Sequence, residues 1–308
     1  MASNRSPRLP DFIGIGPGRT GTTWLHQVLE SRCDLPRGVK ETQFFTTHYA
    51  KGIDWYAWHF RHATGTRKIA EVCPYFTRPY AAERIKAHIP NCKFIITLRN
   101  PVEHAYSQYK LMIHYVWARG SFEHVLNTRP QLDRSNHYAQ HFKGWFAQFP
   151  RDRFLVTRYE ELRSNPQDYI DRICDFVDIE RIRLSDLGSI RDDVNNFAHA
   201  PKSRHLAQNA RHVQYWLLDR RAYWAVNALK RARVWQYCYG RGEKFPPLTP
   251  EQEAMLRERF RPDVEALEDL LKIDLSEWKL PRNERSPKPP ARAPSFGQPA
   301  VAAAIPQK

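Results

Sequence analysis

The sequence predicts a single-domain α/β fold, a central parallel sheet flanked by helices. Three observations carry that expectation. Short apolar runs at residues 11–16, 68–72, 92–98 and 153–158 are each followed by a turn and then by a stretch of helical periodicity, the alternation that builds parallel sheets. The first run leads into Gly14-Ile15-Gly16-Pro17-Gly18-Arg19-Thr20-Gly21-Thr22-Thr23, a glycine-rich turn opening a helix, as in P-loop-like folds. The length of 308 residues suits one large domain with insertions.

The elements follow in order. Residues 11–16 read as the first strand and 22–31 as its helix. Residues 68–72 form a strand and 79–88 an amphipathic helix. Residues 92–98 form a third strand, and 102–114 a helix whose first turn holds Pro101, where a missing N–H costs nothing. Residues 137–149 place Tyr138, Phe142, Trp145, Phe146 and Phe149 on a stripe that reads as core. A strand at 153–158 and a helix at 166–177 complete the alternation. The polar, basic stretch 195–211 precedes 213–236, helical in pattern and rich in Trp and Arg. It reads either as an amphipathic helix packing aromatics on the core or as a basic lid. Thr249 caps a last helix that has Pro250 at its first position and runs to about residue 271. The expected organisation is a flexible 1–10, a folded domain over 11–279, and a disordered Pro/Ala-rich basic tail over 280–308.

Parallel sheets bind ligands at the carboxyl ends of their strands, which is where residues 14–23 and Arg99 fall. The loop is built for an anion: glycines admit backbone N–H groups, Thr20, Thr22 and Thr23 add hydroxyls, and Arg19 adds a fixed charge. A Walker A loop needs lysine after its second glycine to reach the outer phosphates of a triphosphate. Here Thr22 stands at that position, and the cation, Arg19, precedes Gly21. That order suits one terminal anionic group better than a magnesium-bridged triphosphate. A second anion motif begins at the end of the third strand, where Arg99 and, two helical turns on, Ser107 can reach one group.

The run Pro17-Gly18-Arg19-Thr20-Gly21-Thr22-Thr23-Trp24-Leu25 resembles the 5′-phosphosulfate loop of sulfotransferases, which use 3′-phosphoadenosine 5′-phosphosulfate (PAPS) and release adenosine 3′,5′-bisphosphate (PAP). Arg19 stands where that family usually has lysine. Arg99-Asn100-Pro101-Val102-Glu103-His104-Ala105-Tyr106-Ser107 resembles the family's 3′-phosphate motif. The resemblance implies the sulfotransferase fold, with Arg19, Thr20, Gly21, Thr22, Thr23 and Trp24 at the 5′ end of the nucleotide and Arg99 and Ser107 at its 3′-phosphate. Lys40-Glu41-Thr42-Gln43-Phe44-Phe45 is similar to the heparan sulfate N- and 3-O-sulfotransferase branch and its bacterial relatives, and implies Glu41 as catalytic base. Glu71-Val72-Cys73-Pro74-Tyr75-Phe76 resembles a strand end of the same branch, with Val72 in place of a lysine. Tyr239-Gly240-Arg241-Gly242 through Pro246 resembles the loop that folds over the nucleotide and implies contacts from Arg241 and Gly242. The acceptor wall is expected from Phe44, Phe45, Trp55, Tyr56 and residues 195–211.

The chemistry of Glu41 also stands without the resemblance. An acceptor hydroxyl or amine must lose a proton as it attacks, and a carboxylate in hydrogen-bond range can take it. Arg19 can meet the charge that grows on the leaving phosphate oxygen, and no metal is expected because a sulfuryl group carries less charge than a phosphoryl group. The bland alternative makes Glu41 a surface carboxylate paired with Lys40. Glu71 is the second candidate, as base or as substrate-binding acid. His59, His62 and His104 are weaker, since a lone histidine is more often packed or solvated.

Composition sets the limits. Lys and Arg number 48 against 33 Asp and Glu, a formal charge of +15. A basic surface can attract nucleic acid, but no zinc-finger, RNA-recognition or basic-heptad pattern supports that partner. A polyanionic nucleotide and a small-molecule or carbohydrate acceptor account for the excess. Five scattered cysteines show no metal-ligand spacing. With no signal peptide and no long apolar run, a cytoplasmic, bacterial-type soluble enzyme is expected. Two other classes stay open at this point. A P-loop-like small-molecule kinase would need magnesium and ATP. A non-catalytic polyanion- or nucleic-acid-binding module would lose little on removal of any one arginine.

Overall fold

The fold is that of a computed structural model, which describes residues 8–187, 197–240 and 242–285. Four strands make the sheet: β1 (Phe12–Gly14), β2 (Ala70–Val72), β3 (Lys93–Leu98) and β4 (Phe154–Arg158), in the order β2-β1-β3-β4 and all parallel. Phe12 is in register with both Ala70 and Lys93, and Thr97 with Thr157. Isolated bonds extend β1 at both ends, Asp11 N to Ile69 O at 2.8 Å and Ile15 N to Ile95 O at 2.9 Å. They explain why the extended run looks longer in sequence than the regular strand.

Successive strand residues enter opposite layers, as a two-residue period requires. Ile13, Ile15, Phe94 and Ile96 pack with Phe142, Trp145, Val264 and Leu267 on one face. Phe12, Ile95, Ala70 and Val72 pack with Val28, Ile170 and Ile173 on the other. A parallel sheet covered on both faces reads as continuous apolar runs, and the sequence has them.

The helices that position the site are α1 (Thr22–Leu29), α2 (Tyr80–His88), α3 (Pro101–His114), α4 (Tyr138–Phe146) and α5 (Pro166–Val177). Asn100 caps α3 by accepting from Val102 N at 3.0 Å. Three further helices, α6 (Arg204–Asp219), α7 (Tyr223–Arg231) and α8 (Val234–Tyr239), replace the single helix expected over 213–236. Capped by Ser203, α6 starts at Arg204, nine residues before that expected start. The break after α6 is a Schellman closure, with Arg221 N donating to Leu218 O at 3.0 Å and Ala222 N to Leu217 O at 2.9 Å. Arg221 and Arg233 both take positive φ, +54° and +58°, and neither is a glycine that would have signalled the turn. The aromatics divide: Tyr223 and Tyr239 are buried, while Trp216, Trp224 and Tyr237 are exposed.

The last long helix, α9 (Pro250–Leu271), starts with a Thr249/Gln252 capping box and buries Leu256, Phe260, Val264 and Leu267. The expected disorder from residue 280 begins too early. Arg285 pairs with Glu103 and Glu253, each at 3.3 Å, so 280–285 is tied to α3 and α9. At the other end Leu9 packs against the core cluster that contains Ile13. Residues 1–7 and 286–308 lie outside the described residues.

Candidate active site

The glycine loop leaves β1 with little room. A Cβ at Gly16 would sit 2.9 Å from Thr97 N on β3, and one at Gly21, where φ is +88°, 2.5 Å from Leu162 Cδ2. Gly18 faces open space, with nothing within 4 Å of a built Cβ, so its backbone is accessible to a ligand. Thr20 is turned inward: its hydroxyl donates to Pro17 O at 2.7 Å and the residue is fully buried. Its side chain closes the turn rather than meeting an anion. Thr22 and Thr23 open α1 behind Gly21, and Trp24 packs edge-on to Tyr169 with centroids 5.9 Å apart.

The two sequence motifs converge. Arg19, at φ +74°, donates from Nε to Ser107 Oγ at 3.0 Å. Arg99 Nη1 donates to Arg19 O at 3.3 Å, and its Nη2 meets Glu103 at 3.2 Å. Arg99 Nε is buried with no partner among the described residues. Its guanidinium lies 4.8 Å over the Tyr159 ring, and that of Arg19 lies 4.9 Å over Phe197. Burial, and next the charge of Arg99, pull the Arg19 pKa down to about 10. Lys110 is pulled down by burial and then by Arg19, Arg99 and Arg282. Cations held this close, with a buried donor left over, suit a multiply charged anion and not an empty core. The residues present therefore fit a phosphorylated nucleotide.

Helix α3 supplies that grouping by its own periodicity. Glu103, Ser107, Lys110 and His114 follow at i, i+4, i+7 and i+11, one stripe of a helix. Lys110 and His114 were missed in the sequence, although continuing the helix from Ser107 would have reached both. His104 lies off the stripe. Its Nε2 meets Gly18 O at 2.7 Å and its Nδ1 the Asn136 side-chain amide at 2.6 Å. Burial pulls its pKa to about 4 against those two bonds. His104 thus supports the loop from behind.

Glu41 is partly buried. It accepts from Lys40 Nζ at 2.7 Å and from Gln43 Nε2 at 3.3 Å. Glu71 is fully buried and saturated. It accepts from Thr42 N at 3.0 Å, Thr42 Oγ1 at 2.6 Å, Tyr56 OH at 2.7 Å and Tyr75 OH at 3.3 Å. Burial raises its pKa against those donors. Glu71 thus anchors the backbone beside Glu41, and its burial speaks against the part of second base or substrate acid. Burial speaks in the same way against the expected acceptor wall. Phe44, Phe45 and Tyr56 are fully buried; Phe44 stacks on Tyr56 with centroids 4.8 Å apart, and Phe45 meets both edge-on at 5.0 Å. Trp55 keeps some exposure, with the Lys51 ammonium 5.2 Å and the Arg221 guanidinium 5.4 Å from its ring.

Tyr115, just past the end of α3, lies within electrostatic reach of both Arg19 and Glu41, and packs with Phe197 and Tyr239 at 5.5 and 5.1 Å. No local signal marks Phe197. Gly242 donates to Ala200 O at 2.9 Å. Its loop meets α3 through the Tyr106 hydroxyl on Pro246 O and through Phe245 against Tyr109 at 6.0 Å. Arg241 lies outside the described residues. The five cysteines are unpaired. Among the described residues no helix is long and apolar enough to cross a membrane.

The chain is 30% identical over 196 residues to the bifunctional heparan sulfate N-deacetylase/N-sulfotransferase 2 of Homo sapiens, covering 56% of this chain and 22% of that protein. It is 36% identical over 130 residues to the membrane-associated sulfotransferase kil1 of Dictyostelium discoideum, covering 39% of this chain and 28% of that one. The chain spans between a fifth and a third of the length of these relatives. A crystal structure of a sulfotransferase from Alicyclobacillus acidocaldarius superposes with a TM-score of 0.63 at 20% identity, over 89% of this chain and all of that one, and so shares the fold. Residues 9–213 match the sulfotransferase domain model, and the chain belongs to the sulfotransferase family.

Proposed function

We propose that this chain moves a sulfuryl group from PAPS to a hydroxyl or amine of an acceptor, with Glu41 as general base. When bound, PAPS supplies a sulfuryl group activated on a 5′-phosphate. The backbone of residues 18–23 and the Arg19 guanidinium hold the 5′ end. Arg99, Ser107 and Lys110 hold the 3′-phosphate. Arg19 also meets the charge that grows on the leaving oxygen, a term worth several kcal/mol (~3) in other preorganised sites. Glu41 receives the acceptor's proton. Gly242 lies in the loop that closes over the nucleotide.

The observation that carries this reading is the Arg19–Ser107 hydrogen bond with Arg99 and Lys110 beside it. It joins two anion-binding motifs that lie far apart in sequence. A kinase reading gains nothing from these residues, because the loop has no lysine after Gly21. A carbohydrate or small-molecule acceptor suits the open side of Glu41 and the basic surroundings. Positive charge from Arg19 makes a metal unnecessary to the step. Unpaired cysteines suit a reducing, cytoplasmic compartment.

The test is a mass-spectrometric acceptor screen with PAPS, in EDTA. A sulfate-sized gain on a sugar or other acceptor, lost in Glu41→Gln, supports the proposal. Turnover unchanged in Glu41→Gln contradicts the base assignment.

A further inference from the structure

Glu103 is shared by two arginines from distant parts of the chain. Its Oε2 lies 3.2 Å from Arg99 Nη2 and its Oε1 lies 3.3 Å from Arg285 Nη1. Arg285 is itself fixed in place. Its Nη2 meets Glu253 at 3.3 Å and its Nε donates to Leu280 O at 3.0 Å. The backbone N of Arg282 donates to the same Glu253 at 2.7 Å. The side chain of Arg285 is 10% exposed. The segment 280–285 therefore crosses from α9 to α3 and delivers a buried cation beside the 3′-phosphate site.

A carboxylate this close to Arg99 works against an incoming phosphate, because like charges at short range repel and the guanidinium is already engaged. The two oxygens of Glu103 face different arginines, so Arg99 can let go while Glu103 stays paired. We propose that Arg285 is a positioning residue for 3′-phosphate recognition: it retains the Glu103 carboxylate and thereby frees the Arg99 guanidinium for the phosphate. The inference rests on the PAPS reading above. It adds that a segment past the last long helix controls how strongly the protein distinguishes a nucleotide that carries a 3′-phosphate from one that does not.

The experiment is calorimetric titration of the full chain with PAP and, separately, with AMP, which lacks only the 3′-phosphate. Arg285→Gln is expected to weaken PAP about tenfold, the scale of one charge-assisted contact, and to leave AMP unchanged. In the Glu103→Gln background the same substitution is expected to have less than about a twofold effect, since no carboxylate remains to be held. Arg285→Lys, which keeps the charge, is expected to recover most of the PAP affinity. Equal losses on PAP and AMP would mean that the segment only supports the fold, and would overturn the proposal. An unmoved PAP affinity in Arg285→Gln, or a loss that persists in Glu103→Gln, would overturn it too. Wild-type protein that ignores PAP would instead overturn the nucleotide reading itself.

Discussion

Arg19 and Ser107 touch across 88 residues of sequence, Nε to Oγ at 3.0 Å. The bond joins the loop after β1 to the helix after β3, two strands that are neighbours in the sheet. Because β1 and β3 are adjacent and parallel, their carboxyl ends deliver both motifs to one place.

Ser107→Ala removes one donor from this grouping and leaves the Arg19 Nε without its partner. PAP affinity is expected to fall about tenfold, roughly the 1–1.5 kcal/mol of one hydrogen bond near charged groups. The thermal midpoint is expected to move little. Calorimetric titration beside a melting curve separates the two effects.

Glu41 and Glu71 are expected to fail in different ways. Glu41→Gln keeps PAP binding and lowers turnover on a true acceptor by about 10²–10⁴-fold, the range for loss of a general base. Glu71→Ala strands the buried donors Thr42 N, Thr42 Oγ1 and Tyr56 OH, and is expected to cost about 3 kcal/mol or more of stability. Denaturant unfolding of the two variants, run with the activity assay, checks the division.

The sheet was legible because its strands are buried on both faces and so read as unbroken apolar runs between helices. The turn after β1 was legible because its backbone shape and close packing require glycine at positions 16 and 21. Other features were hidden for stated reasons. Phe44 and Tyr56 look like a substrate wall until packing stacks them face to face in the core. Glu71 looks like a base until four donors close on it. The turns at Arg221 and Arg233 have positive φ without glycine. Phe197 reaches Arg19 only through the tertiary fold.

Gly21→Ala is expected to be costly at a site with no ligand contact through its side chain. The backbone there has φ +88° and the new Cβ would lie 2.5 Å from Leu162 Cδ2. The left-handed conformation alone costs about 1 kcal/mol for alanine, and the clash adds to it. A fall in the denaturation midpoint, with PAP affinity reduced as the loop shifts, is the expected result. Gly18→Ala meets nothing within 4 Å and serves as the control for stability alone.

Acid is expected to weaken the fold through buried imidazoles. Burial holds His26, His59 and His104 down to about 4 each, against about 6.5 in an unfolded chain. A depressed folded-state pKa means that the unfolded chain binds more protons between those values. The stability from these rings is therefore complete above about pH 6.5 and is lost as pH falls toward 4. Unfolding free energy measured from pH 7 to pH 4.5 should fall steadily, and His104→Asn should flatten part of the slope.

The most direct measurement is calorimetric titration of the full chain with PAP, with ATP and magnesium as the comparison, repeated on Arg99→Ala. The expected result is saturable PAP binding that is lost in Arg99→Ala, with ATP bound weakly or not at all. Binding of ATP and magnesium with indifference to PAP, or PAP affinity untouched by Arg99→Ala, would contradict the nucleotide site described here.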